Sequence, residues 1–305
     1  MRRTLIALMS AALLAIAVVA PATAITGNYV EDFEHPFVGL IAFYSDDEGT
    51  DDAFLHRCTG SLVNDGTPAD GSRVVVTAGH CTDDGTGDDV AVSARMWFRQ
   101  DAGTRYNTVT GERDPLSGYP DMCIDDPLVV LDACAVSHEM YNYGFDNFAG
   151  FPNTRDAGVV ILDAPVVLTE YGSITTAGAI TSNKRIDLTV SGYGITDGHA
   201  ASDPTLSFRE RLMATTSLIT TTDQWTNGFN LKTQPNGGRR GGTCSGDSGG
   251  PVFYPADSNV IVAVTSFGRT GPNSCQGGDY SYRLDRQEVI DWIDAVAGVH
   301  WDQPS

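Results

Sequence analysis

The sequence predicts an all-β protein closed by one C-terminal helix. Three observations predict it. From residue 25 onward the chain is a succession of short apolar runs, at 37–44, 73–77, 159–162, 188–190 and 260–265, rich in β-branched and aromatic residues. Gly, Asp, Asn and Pro bound these runs, as in strands joined by tight turns. Helical periodicity is sustained only at 285–299, where Val289, Ile290, Ile293, Val296 and Ala297 form one apolar stripe opposite charged residues.

The segments between these elements follow in order. Arg2 and Arg3, an uncharged apolar run over 5–20 and Ala22-Thr23-Ala24 read as an export signal cleaved before Ile25. The run is shorter than the roughly 20 residues that a ~30 Å bilayer takes, so an uncleaved anchor is the competing reading. No stable membrane association is expected. Acidic, glycine-rich stretches at 45–52 and 82–89 read as surface loops, and 101–150 as a loop-rich segment carrying Cys123 and Cys134. A boundary at 165–178 divides the mature chain into 25–170 and 171–305, the second part including the helix.

Charge and cysteines narrow the function classes. Formal net charge is -20, with lysine only at Lys184 and Lys232, and removal of Arg2 and Arg3 takes it from -20 to -22. Such a surface repels phosphate backbones, so nucleic acid is not an expected partner. Six cysteines, Cys58, Cys81, Cys123, Cys134, Cys244 and Cys275, suit three disulfides in an exported protein. Sequence alone allows 15 pairings. Zinc is the competing reading, but no C-x-x-C pair or suitably spaced histidine supports it. His35, His56, His138, His199 and His300 lack ligand spacing as well. The acidic loop 83–89 departs from EF-hand spacing and reads as solvated rather than calcium-binding. No metal and no cofactor are expected.

Three short segments carry the chemistry: Thr77-Ala78-Gly79-His80-Cys81, Arg155-Asp156-Ala157-Gly158, and Gly246-Asp247-Ser248-Gly249-Gly250-Pro251. Singly, each reads as a turn or a cap. Together they meet one need. A serine hydroxyl is a poor nucleophile near neutral pH and requires a base. Histidine, with an ordinary pKa near 6.5, takes that proton and returns it to a leaving amine. A carboxylate on the other ring nitrogen fixes the tautomer and stabilises the imidazolium. Glycines around the serine let amide N–H groups face a developing oxyanion.

With these residues in the order His80, Asp156, Ser248, the chain resembles the trypsin/chymotrypsin family of serine proteases. The resemblance covers residues 25 to about 299. It implies two six-stranded antiparallel β-barrels with the active site between them, His80 and Asp156 on the first and Ser248 on the second. It implies oxyanion-hole N–H groups from Gly246 and Ser248, and pairs Cys58–Cys81, Cys244–Cys275 and Cys123–Cys134. Ser266-Phe267-Gly268 resembles the family's substrate-binding strand, with Ser266 supporting Asp156 and the backbone of Phe267 and Gly268 pairing with an extended substrate.

The resemblance implies a serine endopeptidase acting on protein or peptide substrates through an acyl-enzyme on Ser248; with the export signal, a secreted protein is expected, and a monomer. Gly242 stands where trypsin-like members carry an acid, and Gly268 with Gly277 or Gly278 leaves the pocket open. An uncharged residue, large and apolar or aromatic, is therefore expected before the scissile bond. The long interval between His80 and Asp156 makes 101–150 an insertion beside the cleft. Ile25-Thr26-Gly27-Asn28 resembles the family's mature terminus, whose ammonium would pair with Asp247, so export and activation would be one cut. Later trimming of a short pro-segment is the alternative. A non-catalytic protein on the same scaffold and an esterase are the competing functions.

Overall fold

The computed structural model describes residues 25–47, 50–64, 70–83, 85, 90–102, 134–181, 185–195, 207–234, 241–268 and 277–298. The export signal, Cys123, Cys275, His199, His300 and Lys184 lie outside the described residues. The chain opens with two short strands, β1 (Thr26–Gly27) and β2 (Tyr29–Glu31). A first sheet follows: β3 (Val38–Asp47), β4 (Thr50–Leu62), β5 (Ser72–Thr77), β6 (Ser93–Trp97), β7 (Ala135–Ser137), β8 (Glu139–Asn142) and β9 (Gly158–Val166). A helical turn, α1 (Gly79–Thr82), follows β5.

The second sheet comprises β2 together with β10 (Ser173–Ile174), β11 (Asp187–Gly192), β12 (Leu212–Thr220), β13 (Asn230–Gln234), β15 (Pro251–Phe253), β16 (Val260–Gly268) and β17 (Asp279–Arg283), while β14 (Gly241–Gly242) pairs with β1 in a two-stranded sheet. Helix α2 (Gln287–Ala297) is the last element among the described residues.

Strand order in the first sheet is β7-β6-β3-β4-β5-β9-β8. Its ends nearly meet, because the Ser137 hydroxyl on β7 donates to the Ile161 carbonyl on β9 at 2.7 Å. In the second sheet β16, β15, β11, β12, β13 and β17 follow one another, and β17 pairs back onto β16. That makes a closed six-stranded barrel, an arrangement without free edges. Strands buried on nearly every position, such as the 74–77 stretch of β5 and the 261–266 stretch of β16, explain why these runs read as almost continuously apolar.

The two ends of the chain each cross to the other half. Strand β2 pairs with β12, and Thr26 and Gly27 pair with Gly242 and Gly241. In α2, Val289, Ile290 and Ile293 are buried among core residues of the first sheet, and left-handed Gly298 caps it. A buried cation also joins the halves. Arg211 donates through Nη1 to the carbonyls of Val38 at 2.8 Å and Phe98 at 3.0 Å, and through Nε to that of Asp32 at 3.1 Å. Burying a guanidinium is tolerable only with such a full set of acceptors.

Two sequence expectations change here. The 45–52 stretch, expected as a loop, continues the β3–β4 ladder through Ser45↔Ala53 to Asp47↔Thr50. The 101–150 segment, expected as loop-rich, contains β7 and β8, while 103–133 lie outside the described residues. Both corrections have one cause: backbone hydrogen bonds pair strands whether or not the side chains are apolar. The 287–297 helix and the five apolar runs match the expectation.

Cys58 on β4 is bonded to Cys81 on α1, across a sequence separation of 23 and a Cα–Cα distance of 6.3 Å. Cys134 and Cys244 are also disulfide-bonded. Replacing Cys58 and Cys81 together by serine should cost about 3 kcal/mol. Equilibrium urea unfolding checks this, and an unchanged midpoint would contradict it.

Candidate active site

Strands β5 and β9 are antiparallel neighbours, with Thr77 opposite Gly158. The residues just beyond these paired ends therefore meet: His80 in α1 and Asp156 before β9. The His80 amide donates to Asp156 Oδ1 at 2.8 Å, and its ring Nδ1 lies 2.9 Å from Oδ2 and 3.1 Å from Oδ1. Ser266 sits at a register shift between Thr265 and Phe267, which turns its hydroxyl onto Asp156 Oδ2.

Asp156 is fully buried, which by itself would raise its pKa. The charge of His80 and the hydrogen bonds from His80 and Ser266 outweigh burial and hold the carboxyl below its ordinary value. For His80, burial opposes the imidazolium, but the charge of Asp156 and its hydrogen bond prevail and raise the pKa above 6.5. With Nδ1–H directed to the carboxylate, Nε2 is left as the basic nitrogen.

The serine loop spans Cys244 to Gly250. It turns tightly, with the Asp247 amide donating to the Cys244 carbonyl at 3.0 Å and the Gly250 amide to the Asp247 carbonyl at 2.8 Å. Gly246 at φ +96 and Gly249 at φ +78 adopt backbone conformations that favour glycine. Contact with the first sheet is equally restrictive, since a Cβ at Gly249 would lie 2.0 Å from Thr77 Oγ1 and 2.7 Å from the Ala78 nitrogen. Thr59 holds the loop from two atoms and β5 from a third. Its amide donates to the Ser248 carbonyl at 2.8 Å, its hydroxyl to the Gly246 carbonyl at 2.9 Å, and its carbonyl accepts from Thr77 Oγ1 at 2.8 Å.

Ser248 is thereby docked against the strand end that leads into His80. No hydrogen bond joins the Ser248 hydroxyl to His80 among the described residues; such bonds often tighten only with substrate present. The amides of Gly246 and Ser248 donate to no acceptor among the described residues, which leaves two neighbouring N–H groups for an oxyanion.

The other expected residues fall as follows. Ile25 is fully buried in the second core, and Thr26 pairs with Gly242. Asp247 is buried in a cradle of Gly192, Tyr193 and Gly194, where a Cβ at either glycine would approach its carboxylate to 2.2 or 2.6 Å. It accepts from the amides of Gly194 at 2.7 Å and Cys244 at 2.9 Å. Burial outweighs these two donors and pushes its pKa up to about 7. Beyond Thr265, β16 pairs only with β17 among the described residues, so the other edge of Ser266-Phe267-Gly268 is open to a peptide. The close group of Cys58, His80 and Cys81 is no metal site, because both cysteines are in one disulfide.

The family model described as Trypsin matches residues 25–293. The chain belongs to the trypsin family. It is similar to brachyurin of Leptuca pugilator, with 25% identity over 249 residues, covering 80% of this chain and 89% of that protein. Among solved structures it shares its fold with HL collagenase, at a TM-score of 0.58 and 17% identity, covering 90% of this chain and 99% of the other. The same fold occurs in a scabies mite inactivated protease paralogue, at a TM-score of 0.51 and 13% identity, covering 86% of this chain and 94% of the other. As a member of its family the chain is a serine endopeptidase.

Sequence reasoning missed several residues. Thr59 has only its place beside Cys58 to mark it, and Gly192 and Gly194 only a Gly-x-Gly at a strand end. An aromatic wall was missed too: Phe145 lies 5.7 Å from the His80 ring, Phe148 5.0 Å from Phe145, and Phe267 5.4 Å from Phe148. The sequence reading also sought a pocket carboxylate only at position 242, where Gly242 offers none. Beside Gly242, Asp279 on β17 accepts the Thr243 amide at 2.7 Å.

The His80 assignment is open to direct titration. Following the ring by NMR should give a midpoint above 6.5 in the native protein. Asp156→Asn leaves burial unopposed and should move it lower; an unmoved midpoint would contradict the coupling.

Proposed function

We propose that the mature protein hydrolyses peptide bonds with Ser248 as nucleophile, His80 as general base and Asp156 as the group that orients and charges the pair. The observation that carries this reading is the docking of the serine loop by Thr59, beside the His80–Asp156 pair. Ser248 Oγ bonds to the carbonyl carbon as its proton passes to His80 Nε2. The carbonyl oxygen becomes an oxyanion facing the amides of Gly246 and Ser248; one such donor is worth about 2.7–4 kcal/mol of barrier. Collapse expels the amine, which takes the proton from His80 and leaves an acyl-enzyme. Water, deprotonated by His80, then releases the acid and restores the serine.

We further propose that the protein is secreted and that its active chain begins at Ile25. Supporting this, Ile25 is already buried and β1 is already paired, so a freed ammonium needs no large rearrangement to reach the second core. Asp247 has no cationic partner among the described residues, and an ammonium would supply the charge its burial lacks. The export signal ending at Ala24 makes one cut sufficient. The side-chain preference before the scissile bond does not follow from Gly242 alone, because Asp279 lies against the neighbouring Thr243.

Ser248→Ala should abolish labelling by a fluorophosphonate and lower peptide turnover by about 10⁶-fold. Labelling that persists in this variant would overturn the assignment. A chain carrying one extra residue before Ile25 should be folded yet nearly inactive, a loss of about 3–5 kcal/mol. Full activity there, or Edman sequencing of active enzyme that shows another terminus, would contradict the one-cut account.

A further inference from the structure

The amide of Gly246 is aimed by groups other than Gly246 itself. A glycine takes positive and negative φ with almost equal ease, and Gly246, at φ +96, has no side chain to hold it. Each of the two peptide planes that meet at its Cα is fixed instead by a hydrogen bond to a carbonyl. The Ser245 carbonyl, in the same plane as the Gly246 N–H, accepts from the Ile195 amide at 2.8 Å. The Gly246 carbonyl, in the next plane, accepts from the Thr59 hydroxyl at 2.9 Å. The space around the Cα is closed as well: a Cβ there would lie 2.3 Å from Phe208 Cε1 and 3.0 Å from the Gly194 Cα.

Two of these holds are side chains, and neither is among the groups that react. Thr59 is buried, and its hydroxyl has a second partner, the Tyr193 amide, which donates to Oγ1 at 3.2 Å. The Tyr193 carbonyl accepts in turn from the Phe208 amide at 2.8 Å. Thr59, Tyr193 and Phe208 thus form one chain of hydrogen bonds that starts at the Gly246 carbonyl and returns, through the Phe208 ring, to the Gly246 Cα. Phe208 holds φ +57, a left-handed backbone that is costly outside glycine. Docking of Ser248 uses other atoms of Thr59, its amide and carbonyl, so the side chain can change while those bonds remain.

We propose that Thr59 and Phe208 are positioning residues of the oxyanion hole: the Thr59 hydroxyl and the Phe208 ring hold Gly246 in the conformation that aims its amide at the developing oxyanion. This rests on the hydrolytic reading of Ser248. Loss of the hydroxyl leaves the Gly246 carbonyl and the Tyr193 amide buried and unpaired, and the loop turns to recover partners for them. The negative oxygen forms only on the way to the tetrahedral intermediate. A misaimed amide therefore weakens the transition state and spares substrate binding.

The test compares Thr59→Val, which removes the hydroxyl and keeps the side-chain shape, with Thr59→Ser, which keeps the hydroxyl, in mature protein beginning at Ile25. Thr59→Val should lower kcat on a peptide anilide by about 10- to 100-fold and leave KM within about threefold, while Thr59→Ser retains most of the native kcat. Inhibitor binding separates aim from packing. A peptide trifluoromethyl ketone takes Ser248 Oγ at its carbonyl carbon as the proton passes to His80, and so acquires the oxyanion; the corresponding peptide alcohol cannot. Thr59→Val should weaken the ketone by the same factor as kcat/KM and the alcohol by less than about twofold. If urea unfolding shows that Thr59→Val does not fold, Phe208→Leu decides alone: it leaves the backbone hydrogen bonds in place and should lower kcat by about 10-fold at unchanged KM. Unchanged kcat in either folded variant, a loss carried by KM, equal weakening of ketone and alcohol, or a loss in Thr59→Ser as large as in Thr59→Val would overturn the proposal. Native protein that neither turns over the anilide nor reacts with a fluorophosphonate would instead refute the hydrolytic reading.

Discussion

Two adjacent residues, Cys58 and Thr59, connect both halves of the site. Through its disulfide, Cys58 ties β4 to the turn that carries His80. Through amide, hydroxyl and carbonyl, Thr59 ties the same strand to Gly246, Ser248 and Thr77. One rigid strand thus sets the position of histidine and serine, which come from different sheets and lie far apart in sequence. The glycines of the serine loop are the other half of this constraint. At Gly249 even a methyl group would displace the loop from Thr77 and so move Ser248.

Four buried carboxylates show how differently one fold treats the same group. Asp32 is compensated by His35, Arg211 and Ser191, and Asp156 by His80 and Ser266; both stay below their ordinary pKa despite burial. Asp247 and Asp279 rest on backbone or hydroxyl donors, with no cation beside them among the described residues, and both are pushed up to about 7. The first two are complete within the fold. The second two have no such compensation, and the freed terminus proposed above would supply a cation for Asp247.

What was legible in the sequence was local. The segments around His80, Asp156 and Ser248 each carry their residue types within a few positions, and the strands of 73–77 and 260–265 are unbroken apolar runs. Features that depend on distant partners were not legible. Strand β8, Glu139–Asn142, has no buried residue and pairs through its backbone, so its polar sequence looked like a loop. The 45–52 hairpin was hidden for the same reason. Asp279 reads as an ordinary turn acid until the ladder places it opposite Gly268 and beside Thr243. Nor does any periodicity reveal that β2 pairs in the second barrel while the last helix packs on the first.

The account depends most on Ser248, His80 and the two free amides acting on one atom. A crystal structure of the mature protein after reaction with diisopropyl fluorophosphate examines that convergence in a single experiment. The account predicts phosphorus bonded to Ser248 Oγ, the phosphoryl oxygen about 2.7–3.1 Å from the Gly246 and Ser248 amides, and His80 Nε2 within hydrogen-bond reach of the adduct. Phosphorus on another residue, or a His80 ring turned away from the adduct with both amides unused, would contradict it.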